Sequence, residues 1–177
     1  YSVSTINDAF DEVYANKTEA CLEQHLNELY INKSSFNSYK SSLDCGEILA
    51  YVLGTASYDA YSVDEFSEKM NSYLSFIGSL NKAVSADAVG TVMTTYGHLS
   101  AYGVQYNALT PTHKYNANCY ILDNRALITG KSAADTVISN AITSAKRVPQ
   151  NGNGGGSSSG GGSSGGGGGA GVGGFAS

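Results

Sequence analysis

Seven apolar residues at helical spacing set the terms for this chain. Phe66, Met70, Tyr73, Leu74, Ile77, Leu80 and Val84 recur at steps of three and four. That is one stripe of a 3.6-residue helix and the wrong period for a strand, whose side chains alternate faces every second residue. Just ahead stands Ser62-Val63-Asp64-Glu65. This is a capping box, in which the serine oxygen accepts from the amide of Glu65 and the glutamate reaches back to the cap amide. A helix with so long an apolar face must bury it against other elements.

The same period runs through most of the sequence. Ile6, Phe10, Val13, Cys21, Leu22, Leu26 and Leu29 fit one face of a first helix over residues 4–31, with a drift at Lys17 that marks a kink. Phe36, Tyr39, Leu43, Ile48, Leu49, Val52 and Leu53 predict a second, capped by Ser34 or Ser35 and ended by Gly54 and the polar stretch around Ser57 and Asp59. Ser85 caps a fourth carrying Val89, Val92, Met93, Tyr96, Leu99 and Tyr106. Gly90, Gly97 and Gly103 weaken it, at ~1 kcal/mol each in a helix interior, unless they let a neighbouring helix approach. Thr110-Pro111-Thr112-His113 breaks the pattern, and "KYNANCYILDNRALITG" reads as a loop with a short extended piece at 120–122. Ser132-Ala133-Ala134-Asp135 opens a fifth helix with Ala134, Val137, Ile138, Ala141, Ile142 and Ala145 on one stripe. Lys146 and Arg147 suit the negative end of its dipole, and Pro149 stops it. The sum is an all-α domain over residues 1–148, an antiparallel bundle of about five helices joined by mostly short turns.

Composition changes abruptly after that. Residues 151–177 hold 15 of the 22 glycines. Gly and Ser bury too little to offset backbone ordering, so 149–177 is expected to be a disordered Gly/Ser/Ala-rich segment. Its runs are irregular, and "GAGVGGFAS" brings in Ala, Val and Phe, which reads as the start of a repetitive region rather than a spacer.

The net charge of −5 is unevenly placed. Residues 1–68 hold twelve Asp/Glu against Lys17, Lys33 and Lys40, a net −9, and residues 69–177 carry the balancing +4. The plain reading is a solvated surface. The sharper one is a self-complementary dipole whose acidic face meets the basic face of a second copy. An acidic chain without a basic cluster is a poor partner for nucleic acid. No apolar run approaches the ~18–20 residues that span a bilayer, so no membrane partner is expected.

The chain starts at Tyr1 rather than Met and carries sequons at Asn16 and Asn32. Both fit a secreted, extracellular protein. Three cysteines then allow one internal bridge, with Cys21 and Cys45 on consecutive helices as the pair, and Cys119 left to join a second chain. Their alternative is three buried, inert small residues.

Chemistry is sparse. There is no G-x-S-x-G, P-loop or dinucleotide fingerprint, and the glycine tail lacks the flanking elements that position phosphates. His25, His98 and His113 signal no metal site, and Cys119 with His113 lacks an orienting group and an oxyanion hole. The carboxylate pairs Asp11/Glu12 and Glu19/Glu23 read as a solvated helix face. No catalytic residue, metal or cofactor is expected.

The stripes over 66–84 and 134–145, running into "GGGGGAGVGGFAS", resemble the non-repetitive amino-terminal domain of a silk protein, in the style of a spider silk protein (spidroin). The resemblance implies a five-helix bundle that keeps a stored fibrous protein soluble and dimerises, with itself or another silk chain, as pH falls. Two Met, no Trp, 13 Tyr and three Cys depart from the familiar members, so no residue roles are carried over by alignment. The charge pattern places the pH-dependent interface at Asp8, Asp11, Glu12, Glu19, Glu23, His25 and His98. The rival is a secreted helical protein enclosing a small apolar ligand, similar to an odorant-binding protein.

Overall fold

The computed structural model describes residues 1–57 and 62–147, and beyond them only the backbone of 164–167 and 172–175, a short antiparallel strand pair. Residues 1–147 are all-helical where described. The expected boundary at 148/149, the stop expected at Pro149 and the rest of the segment expected to be disordered lie outside the described residues, as does Asp59.

Nine α-helices are present among the described residues, where about five were expected. They are α1 (Val3–Asn16), α2 (Glu19–Gln24), α3 (Lys33–Tyr39), α4 (Cys45–Leu53), α5 (Val63–Asn81), α6 (Ala86–Tyr96), α7 (Gly103–Asn107), α8 (Pro111–Asp123) and α9 (Lys131–Lys146). The extra helices come from local breaks. The expected first helix ends where Lys17 turns left-handed (φ 52°), and Thr18 caps α2 by accepting from the Cys21 amide. The expected second splits because Asn32, not Ser34 or Ser35, caps α3, and Asp44 caps α4. The fourth divides into α6, a 3-10 turn at Gly97–Leu99, and α7.

Most of the segment expected as a loop, including the piece expected to be extended at 120–122, lies in α8, and the remainder holds a 3-10 turn at Arg125–Leu127. Thr110 accepts from the His113 amide and Pro111 takes a first-turn position, so the dipeptide starts a helix rather than breaking one. Its inward face is narrow and partly polar: Ala117, Asn118 and Ile121 are buried, and Asn118 accepts a 2.6 Å hydrogen bond from the Tyr106 hydroxyl. Gly90 of α6 lies opposite that Asn118, so α6 and α8 approach there as the glycine spacing allowed.

α5 is the spine. It packs against α1, α3, α4, α6 and α9. Phe66, Met70, Phe76, Ile77 and Leu80 are fully buried, each stabilising by roughly 1.5–3 kcal/mol relative to exposure. Phe10 meets Phe66 edge-on at 5.3 Å, and the Tyr39 ring covers Gly78, where a Cβ would sit 2.5 Å from the ring. Ser62 caps α5 as expected, but Val84 lies beyond the helix end and is 87% exposed.

Polar side chains on α5 also tie down the connections. Asn71 accepts from the Asn32 amide at 2.8 Å and donates to the Tyr30 carbonyl at 3.0 Å, bracketing the left-handed Tyr30. Asn81 donates to the Ile128 carbonyl at 3.0 Å.

α9 buries the whole expected stripe from Ala134 to Ala145. Its N-terminus is capped from across the fold. Gly130 occupies the cap position without a side-chain cap, and Glu47 of α4 accepts from the Lys131 amide at 2.7 Å and the Ser132 amide at 3.2 Å. A side chain at Gly130 would collide with the Glu47 carboxylate. Nearby, the buried Lys131 ammonium pairs with Asp135 and lies 4.6 Å from the Tyr51 ring centre.

Glu47→Gln removes one of the two acceptors, and Gly130→Ala displaces the carboxylate that supplies both. Each is expected to cost about 1–2 kcal/mol in urea denaturation. Because both act through one cap, the double variant should lose clearly less than the sum. Additive losses would show that the cap does not couple α4 to α9.

Candidate functional site

The left-handed turn at Lys17 folds α2 back beside α1. That brings Glu12, late in α1, against His25, the residue closing α2. His25 Nε2 lies 2.9 Å from Glu12 Oε1, and Nδ1 lies 3.4 Å from Glu28 Oε2. The imidazole is 16% exposed, against 53% for Glu12 and 23% for Glu28. A neutral imidazole donates from one nitrogen only, so both contacts act as donor bonds together only when the ring is charged.

Cys21, one helical turn before His25, joins the same corner. The ligating atoms of Glu12, Cys21 and His25 all lie within 4.8 Å of one another. Burial, then the Glu12 carboxylate, pushes the Cys21 thiol above its usual value, and a hydrogen bond with Asn16 works in the opposite sense. The sequence reading expected no metal site. Its missed signal is the four-residue step from Cys21 to His25, which places both on one helix face. The contribution of Glu12 depends on the turn at Lys17.

The other expected residues are dispersed. Asp8 and Asp11 are exposed on α1. Glu23 of α2 pairs with Lys40 at 2.6 Å, and that carboxylate raises the Lys40 ammonium. As an exposed pair it adds little stability. His98 is exposed on the 3-10 turn, outside this corner. Asn16 is exposed and donates its side-chain amide to the Glu12 carbonyl at 2.8 Å. The Asn32 side chain accepts from the Ser35 amide at 2.9 Å.

All three cysteines are free thiols, so the bridge expected between Cys21 and Cys45 is not formed. Cys21 faces Glu12 and His25 instead. Cys45 opens α4, and burial, followed by repulsion from Glu19, Asp44 and Glu23, pushes its thiol up to about 12. Cys119, half-buried on α8, is also raised, chiefly by burial, while the Tyr115 hydroxyl eases it down.

A groove of about 510 Å³ lies among α6, α7 and α8, lined by Asp87, Thr91, Thr94, Tyr106, Lys114 and Asn118 among others. Hydroxyls, amides and charges make it a poor fit for the apolar ligand of the rival reading. No helix among the described residues is long and apolar enough to cross a membrane. Comparison with protein-family models, curated proteins and solved structures finds no match.

The raised thiols set an alkaline limit. Cys45 keeps its proton in the fold up to about 12, whereas its usual value is 9.0. Between those values the folded state binds more protons than the unfolded one, so stability falls as pH rises through that window. Denaturation curves at increasing alkaline pH should show the fall, and Cys45→Ala should flatten it. Native Cys45 should also resist a thiol reagent near neutral pH that modifies all three cysteines once the chain is unfolded.

Proposed function

We propose that this chain is the helical terminal domain of a secreted, silk-like fibrous protein, holding it soluble and controlling its self-association during fibre assembly. The observation that carries the reading is one chain joining an acidic, all-helical domain to a Gly/Ser/Ala-rich segment. In this reading the helices run as an antiparallel bundle and the partner is a second copy or another silk chain.

Like charge on the amino-terminal half keeps copies apart at neutral pH. Asp8, Asp11 and Glu12 on α1 and Glu19 and Glu23 on α2 supply much of it, countered locally by Lys40 on Glu23. Histidine normally takes up its proton between about pH 5 and 8. The chain sets three histidines, His25, His98 and His113, against a formal net charge of −5. His25 faces Glu12 from α1 and Glu28 and Cys21 from its own segment. With repulsion reduced, the acidic half of one copy docks on the basic half of another. Cys119, half-buried on α8, makes the contact covalent in an oxidising compartment. A weak contact suffices, since long chains joined at one end gain by avidity.

Sedimentation of the full chain tests this. With reductant present, self-association should tighten about tenfold or more between about pH 7.5 and about pH 5.5, and weaken with added salt. Without reductant, a covalent dimer should form and disappear in Cys119→Ser. A monomer at both pH values, oxidised and reduced, overturns the proposal.

A further inference from the structure

We infer that the corner formed by Glu12, Cys21 and His25 is a zinc site. Three donors of different kinds, a carboxylate oxygen, a thiol sulfur and an imidazole nitrogen, converge from two helices to within 4.8 Å. Tetrahedral zinc takes sulfur at about 2.3 Å and nitrogen or oxygen at about 2.0–2.2 Å, so small side-chain rotations close this set around one ion. Thiolate with imidazole selects zinc over calcium or magnesium, which take oxygen ligands. Three protein ligands leave the fourth position to water.

The surroundings match what a metal-binding histidine needs. His25 presents Nε2 to the cluster, while Nδ1 points at Glu28 Oε2, 3.4 Å away. A carboxylate on the far nitrogen fixes the tautomer that leaves Nε2 free to ligate and raises its basicity. Cys21 is buried and His25 nearly so, whereas the Glu12 side chain is 53% exposed, giving the ion a solvent-facing entry. On binding, the Cys21 S–H bond breaks, its electron pair forms the S–Zn bond and the proton leaves to solvent. No redox change is involved. The ion then joins α1 to α2 across the Lys17 turn, adding to the His25–Glu12 pair and the shared apolar core there.

Cobalt(II), with zinc as competitor, reads the site directly on the reduced full chain. The expected result is a thiolate-to-cobalt charge-transfer band saturating at a single equivalent, release of about one proton, and displacement of cobalt by zinc. Cys21→Ser should abolish the band, while Cys45→Ser and Cys119→Ser leave it intact. Glu28→Gln, which removes no ligand, should weaken affinity about 10–100-fold yet keep the band. Absence of the band at one equivalent, or its survival in Cys21→Ser, overturns the assignment. Should Cys21→Ser fail to fold, Glu12→Gln decides, because its side chain is largely in solvent. Weakened cobalt binding upholds the site, and unchanged binding rejects it.

Discussion

Burial of one helix on most of its faces is the constraint on which the rest of the molecule depends. α5 supplies the longest uninterrupted run of helix, and five other helices lie against it. An amphipathic helix on a protein surface covers one stripe. α5 also buries Ser67, Phe76 and Gly78, off the stripe that the sequence displays. Gly78 lets Tyr39 close over the backbone, and Ser67 reaches the Leu29 carbonyl as well as its own helix. The polar groups on α5 therefore answer a problem the apolar ones create. Short helices packed on a spine leave many chain turns, and each turn has backbone groups that need partners.

Closure of the fold uses the same logic at longer range. A helix N-terminus buried against a neighbour cannot leave its first amides unpaired without a cost of order 1–3 kcal/mol. α9 starts at a glycine with no side chain to offer, and Glu47, 84 residues earlier in sequence, fills the gap. Asp135, in the first turns of α9, accepts from the Ser100 hydroxyl and the Ala101 amide, so the same end of α9 holds the turn before α7. The amino- and carboxyl-terminal parts of the domain are joined by polar contacts at one helix end as well as by the core.

The strong periodic segments were legible in sequence, and their interruptions were not. The α5 and α9 stripes and the Ser62 and Ser85 caps read directly, since each depends on neighbours within one or two turns. The break at Lys17 showed in sequence only as a drift of the apolar stripe, which marks a kink rather than a helix end, and the break at 40–44, where the stripe moves round the helix between Leu43 and Ile48, was read through as one helix. α8 failed the same test in reverse. Its buried face is Ala117, Asn118 and Ile121, and Asn118 counts as polar until Tyr106 is seen to satisfy it. Thr110-Pro111 carried the start signal, but proline read as a breaker outweighed proline read as a first-turn residue. Of the candidate site, Cys21 and His25 share a local spacing, whereas Glu12 and Glu28 join only through the turns on either side of α2.

Those turns explain why the acidic corner is more than a charged helix face. Had the first 31 residues formed one straight helix, Glu12 and His25 would lie 13 residues apart, about 20 Å along its axis. The left-handed Lys17 and the Thr18 cap replace that separation with a 2.9 Å contact. A carboxylate from α1, a thiol from α2 and the imidazole that closes α2, with a second carboxylate behind it, are thereby gathered in one corner. A divalent ion bound between Glu12 and His25 would bridge α1 and α2 within the net-acidic amino-terminal half of the chain and change the local charge there.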